Sequence, residues 1–146
     1  MLFEDRSPII ETSGNVHQIS KPTELDALLS SNKYAIIDFY ADWCPPCRTI
    51  SPIFSKLADE YASKGQLAFA KVNVDKLNGI AKRYEITAMP TFVSFADGKP
   101  TPVAVQNNKP STSTETAKNE SVERIQGANV VLLRGVVRAL AEKVQS

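Results

Sequence analysis

Residues 34–41, YAIIDFYA, form an unbroken run of aromatic and aliphatic side chains with a single charge inside it, Asp38. A strand with one wet face alternates apolar and polar residues. A run that is apolar on both faces suits a central strand covered on both sides. QLAFAKVNVD (66–75) reads as a second buried strand, and PTFVSFADGKP (90–100) as a third, closed by an Asp-Gly turn. VHQIS (16–20) alternates like a short half-buried strand, and VERIQGAN (122–129) reads as a last short one.

Helical patterns separate these strands. KPTELDALLSSN places Leu25, Leu28 and Leu29 on one face, with Thr23 as the expected N-cap. RTISPIFSKLADEYASKG reads as a long helix ended by Gly65, with Ile50, Ile53, Phe54, Leu57, Ala58 and Tyr61 inward. Pro52 inside it should kink the helix rather than end it. KLNGIAKRYEI is a short helix with an expected break at Gly79, and VVLLRGVVRALAEKV an amphipathic closing helix. The order β, α, β, α, β, α, β, β, α predicts an α/β fold: a central mixed sheet flanked by helices on both faces.

Two segments fall outside this pattern. Residues 1–14 read as a flexible leader, which leaves 15–146 as the folded domain. Residues 101–121, TPVAVQNNKPSTSTETAKNES, have few large apolar side chains with which to offset the cost of ordering. They are expected to form a mobile polar loop inserted in the domain.

The 146 residues, 42% hydrophobic and 23% charged, suit one soluble domain with a proper core. A net charge of +1 gives no global field for nucleic acid or an acidic membrane. No apolar run approaches the length of a bilayer span. The opening MLFEDRSPII lacks a basic start followed by an apolar stretch, so no secretory signal is expected and a reducing compartment, the cytoplasm, is the default.

Both of the chain's 2 cysteines sit in one motif, Cys44-Pro45-Pro46-Cys47. A bridge across two residues closes a loop too short to stabilise much, so chemistry at the sulfurs is the better reading. Positions three apart on a helical turn lie within the distance a disulfide needs, so the pair can open and close with little backbone movement. Cys44 falls where a strand ends and a helix begins. Unpaired N–H groups and the helix dipole there favour a thiolate, the nucleophile. Cys47, one turn in, is expected to be more shielded and suits the resolving role: it breaks the mixed disulfide that Cys44 forms. Structural zinc needs four ligands, and the chain offers two cysteines and His17, so no metal is expected.

IIDFYADWCPPCRTISPIF, AKVNVDKLNGIAKRYEITAMPTFVSFADGK and VERIQGAN together resemble the thioredoxin family, in order and in spacing, over residues 15–144 apart from the polar insert. The resemblance implies the thioredoxin fold and protein-disulfide reduction by a monomer without a bound cofactor. It also implies client proteins with disulfides and recycling by a thioredoxin reductase. Asp38, six residues before Cys44, matches the family's buried acid, which could accept a proton from Cys47 through water. A salt bridge to Lys71, at the family's lysine position, is the other reading of Asp38, and both can hold together. Trp43 offers a flat apolar surface beside the sulfur or else packs in the core. Met89-Pro90-Thr91 matches the family's cis-proline loop, where Met89 would present its backbone to an extended substrate. An ordinary strand-start proline is the alternative. Gly127 resembles the glycine that lets a substrate backbone approach, or is a plain turn glycine.

The chain departs from the family at Pro45, where glycine is usual. Proline there removes an N–H near the Cys44 sulfur and disfavours helical geometry at Cys44. Pro46 is then the expected first helical residue. Fewer donors make the pair more reducing, while strain in a stiff Pro-Pro ring pushes the other way. The insert at 101–121 reads as a tolerated insertion or as a docking or phosphorylation segment. Two other functions compete: a glutaredoxin-like, glutathione-dependent oxidoreductase, for which proline after the first cysteine is typical, and a non-enzymatic adaptor on the same fold.

Overall fold

The computed structural model describes residues 5–106 and 119–146. Its elements run β1 (Val16–Gln18), α1 (Pro22–Ser31), β2 (Tyr34–Tyr40), α2 (Pro45–Tyr61), β3 (Leu67–Asn73), α3 (Asn78–Arg83) and β4 (Thr91–Ala96). Then follow β5 (Lys99–Pro100), β6 (Val103–Gln106), β7 (Asn119–Val122), β8 (Arg124–Gln126) and α4 (Val130–Gln145). The main sheet has the order β1-β3-β2-β4-β5, with β8 also pairing with β4. β1, β3 and β2 are mutually parallel, and β4 runs antiparallel to β2, β5 and β8.

The continuous apolar runs are central strands for the reason their composition gives. In β2, Ala35, Ile37 and Phe39 pack under α1 and α3 with Leu25, Leu28, Leu29 and Ile80. Ile36 faces the other layer, with Ile50, Phe54 and Leu57 of α2 and Leu133, Val136 and Leu140 of α4. Because side chains alternate along a strand, Asp38 shares the α2-facing side with Ile36, and Lys71 shares it with Phe69. The parallel register sets Asp38 and Lys71 directly opposite each other.

Several boundaries differ from the sequence reading. Lys21, not Thr23, is the N-cap of α1, and it offers no side-chain bond. Pro22 takes the first helical position, where its fixed φ fits and its missing N–H costs nothing. Glu24 instead reaches back to accept from the Ser20 N–H at 2.8 Å. α2 begins at Pro45 rather than Pro46. Cys44 is extended there (φ −90°, ψ 109°), as a residue before proline should be. Both prolines fit the first turn, whose N–H groups have no partner within the helix. α2 ends at Tyr61, ahead of Gly65: Ala62 turns extended and Ser63 bridges to Leu67, while Gly65 (φ +75°) serves the turn between them. Gly79 lies inside α3 without breaking it. Asp97 (φ +51°) and Gly98 (φ +80°) form the expected tight turn, with φ positive at both central residues.

The largest difference concerns the polar insert. Its two ends, β6 and β7, pair in register from Val103↔Val122 to Gln106↔Asn119. Val103, Val105 and Val122 are buried against α4 and the α2-side core. Two alternate valines on β6, with Val122 opposite the first, suffice to dock a ribbon that its composition described as loop. Gly135 of α4 makes room for it: a β-carbon there would lie 2.7 Å from Val105 Cγ1. The expected mobile loop itself falls mostly at 107–118, outside the described residues.

Residues 5–14 of the leader make several contacts with the domain. Ile9 N–H donates to Asp42 Oδ1 at 2.9 Å, and Ser13 Oγ donates to Asp59 Oδ1 at 2.5 Å. Arg48 binds the Ser7 carbonyl and forms an ion pair with Asp5 at 3.4 Å.

Candidate active site

The site forms where β2 ends and α2 begins. Cys44 is the N-cap of α2, and Cys47, at the third helical position, donates its N–H to Cys44 Sγ at 3.2 Å. Pro45 and Pro46 have no N–H. Cys47 therefore supplies the only backbone donor that the first three helical positions can offer the sulfur. The cysteines are disulfide-bonded, with α-carbons 5.3 Å apart. The expected contrast in shielding is slight in this oxidised state: Cys44 is 3% exposed and Cys47 2%. What distinguishes the two sulfurs is position, since the donor and the helix N-terminus both serve Cys44.

The Met89–Pro90 peptide bond is cis. The Met89 carbonyl oxygen lies 3.5 Å from Cys44 Sγ, and Met89 packs on the cluster of Tyr40, Ala41, Cys44 and Cys47. Thr91 Oγ1 donates to the Ala88 carbonyl at 2.6 Å, tying the loop's two ends. Gly127 N–H donates to the Pro90 carbonyl at 2.7 Å, with φ at +92°. Open space surrounds the position a Gly127 side chain would take, so backbone geometry rather than crowding favours glycine here.

Trp43 is 41% exposed and is not a core residue. Its Nε1–H donates to Asp75 Oδ2 at 2.8 Å, which holds the indole at the surface beside the disulfide.

Asp38 lies buried beneath, with Oδ1 lacking any hydrogen-bond partner. Burial pushes its carboxyl up to about 7; Lys71 opposes the shift and Glu11 adds to it. The expected salt bridge between Asp38 and Lys71 does not form. Lys71 Nζ pairs instead with Glu11 Oε1 at 3.2 Å, accompanied by Ser51 Oγ at 3.3 Å and the Tyr40 ring at 4.8 Å. The Glu11 contact is an ion pair whose angles are too poor for a hydrogen bond. Tyr40, buried beside Asp42 and Asp38, is pushed up to about 12, chiefly by burial.

Cys44, Cys47, Trp43, Met89, Pro90 and Gly127 thus meet at one surface, with Asp38 and Lys71 beneath it. Sequence reasoning missed Glu11, Ser51, Ser55 and Asp75. Ser51 and Ser55 carried a readable signal: two hydroxyls four apart on a helix face that is otherwise apolar imply buried polar company. Glu11 carried none, because nothing local tells a leader carboxylate from a solvated one.

A two-cysteine helix N-terminus in contact with a cis-proline loop at one end of a mixed sheet defines a thiol–disulfide oxidoreductase of the thioredoxin fold. The thioredoxin family's sequence model matches residues 16–120. A thioredoxin from Neurospora crassa is 39% identical over 132 residues, covering 90% of this chain and 88% of that one. A thioredoxin-like protein from Fusarium culmorum is 51% identical over 84 residues, 58% of this chain and 69% of the other. The oxidised mitochondrial thioredoxin 3 of Saccharomyces cerevisiae superposes with a TM-score of 0.63 at 32% identity, covering 84% of this chain and 93% of that one. The chain belongs to the thioredoxin family, and it is a protein-disulfide reductase. Among the described residues no helix is long and apolar enough to cross a membrane.

Proposed function

We propose that Cys44 attacks disulfides on client proteins, that Cys47 resolves the mixed disulfide, and that a thioredoxin reductase returns the pair to the dithiol. The observation that carries these roles is the Cys47 N–H aimed at Cys44 Sγ on the helix N-terminus, which favours the thiolate at position 44. Cys44 thiolate attacks one substrate sulfur, and the other leaves as a thiolate that takes up a proton. Cys47 then gives its proton to Asp38 through water and attacks Cys44 Sγ. The Cys44–Cys47 bond forms, and the second substrate sulfur leaves as a thiolate that takes up a proton from solvent. The client's two sulfurs gain the two electrons that the cysteine pair loses. Trp43 and the Met89 backbone hold the client, which lies alongside the cis-proline loop as an added strand, with Gly127 leaving room for it. A reducing compartment such as the cytoplasm would keep the pair ready for this direction of exchange.

The test is reduction of insulin disulfides with NADPH and a thioredoxin reductase. Wild type should turn over well above the uncatalysed rate. Cys44→Ser should not, and Cys47→Ser should accumulate a mixed disulfide visible by mass spectrometry. Turnover supported by glutathione alone would favour the glutaredoxin-like reading, and none from either source the adaptor.

A further inference from the structure

Below the disulfide, Lys71 faces two carboxylates, Asp38 from β2 and Glu11 from the leader, and it pairs with the latter. Glu11 is as deeply placed as a core residue: its side chain is 2% exposed and that of Lys71 1%. Oε2 accepts from Ser55 Oγ at 2.5 Å and from Ser13 N–H at 2.9 Å, while Oε1 faces Lys71. The segment is fastened on both sides of Glu11, at Ile9 by Asp42 and at Ser13 by Asp59. Ile9 packs directly on the cluster that contains both cysteines.

We propose that Glu11 is a positioning residue for disulfide exchange: by engaging the Lys71 ammonium it leaves Asp38 as the unpaired acid beneath the cysteines, and so sets the pH range in which Asp38 exchanges a proton with Cys47. The charge count supports this. Glu11 and Lys71 together are neutral, so an ionised Asp38 would be a third, uncompensated charge in an apolar site, whereas a protonated one carries only the smaller cost of a buried neutral polar group. Without Glu11, the same ammonium would remain for Asp38 alone, directly opposite it in the register. The charged groups that act on Asp38 are Lys71 on β3 and Glu11; Tyr40 at the end of β2 lies beside both Asp38 and Asp42, Ser51 on α2 accepts from Lys71, and Ser55 donates to Glu11. Among the charged ones only Lys71 favours ionisation of Asp38, and its ion-pair partner is Glu11.

This inference rests on the proton-accepting role proposed for Asp38, so the experiment reads the titration apart from the activity. The oxidised protein, labelled with 13C at aspartate carboxyls, is titrated by NMR as wild type and as Glu11→Gln. The amide keeps the size of the side chain and can still accept from Ser55. With the competing carboxylate gone, the Asp38 midpoint should fall by about one pH unit, as expected for an opposite charge released to a near neighbour. The pH profile of Cys47 attack, followed on a preformed mixed disulfide, should move in the same direction. Glu11→Met, similar in length and uncharged, serves should the glutamine variant not fold. A purely structural role would lower the melting temperature and leave the midpoint in place, and an unmoved midpoint overturns the inference. A midpoint that moves without any matching move in the exchange profile overturns the role given to Asp38, and the inference with it.

Discussion

Replacing Asp38 with asparagine separates the cost of the buried acid from everything else in the fold. Burial holds this carboxyl at about 7, against its ordinary 3.8. Below about pH 4 it is protonated in both folded and unfolded chains, and its contribution to stability is fully present. As pH rises from there towards 7, the unfolded chain releases the proton and the folded one keeps it. Stability then falls by about 1.4 kcal/mol per pH unit. Above the folded value both states are ionised and the loss is complete, at about 4 kcal/mol in all. Asparagine has no proton to lose. Its amide carries a burial cost of its own, but that cost is independent of pH, so the change in the gap between the two proteins is the clean readout. Guanidinium unfolding of the oxidised proteins, followed by far-UV circular dichroism at half-unit steps from pH 4 to 8, measures it. The asparagine variant should gain on wild type by about 4 kcal/mol across that range. Stability curves that run parallel from pH 4 to 8 would show that the carboxyl is solvated and ordinary, and would refute the burial argument.

Two further substitutions test the site and the ribbon. Pro46→Ala restores a backbone donor at the second helical position, and should lower the Cys44 thiol midpoint by about half to one pH unit, read from the pH dependence of alkylation by iodoacetamide. An unchanged or raised midpoint would mean that the rigidity of Pro-Pro outweighs the lost donor. Gly135→Ala should destabilise by about 1 kcal/mol: helix propensity favours alanine by about that much, but the new methyl meets the branched Val105 side chain at 2.7 Å, and overpacking costs roughly 1–3 kcal/mol. A gain in melting temperature would show that the β6–β7 ribbon yields easily.

Much of this was legible because the deciding signals were local. YAIIDFYA announced a doubly covered strand, and the Asp-Gly pair a tight turn. Cys44-Pro45-Pro46-Cys47 announced sulfur chemistry at a helix start. The errors also have local causes. Thr23 has the chemistry of a cap, but Pro22 before it takes the first helical position and moves the cap to Lys21. Ser, Thr, Asn and Lys dominate 101–121, and that average hid Val103 and Val105, which alternate and pack on α4 together with Val122. A composition argument weighs a whole window, whereas docking a short ribbon needs only a few apolar side chains on one face.

The sequence by itself determined the strand and helix order, the reactive pair, and the fact that an acid at position 38 would be buried, because each of these follows from neighbours along the chain. Only the tertiary structure decided which carboxylate Lys71 serves. Asp38 stands opposite it in the sheet, yet Glu11, sixty residues away in sequence, is the one that reaches it. Ion pairing depends on distances across space, and those are fixed when the leader packs against α2, a placement that no periodicity or spacing within the leader encodes.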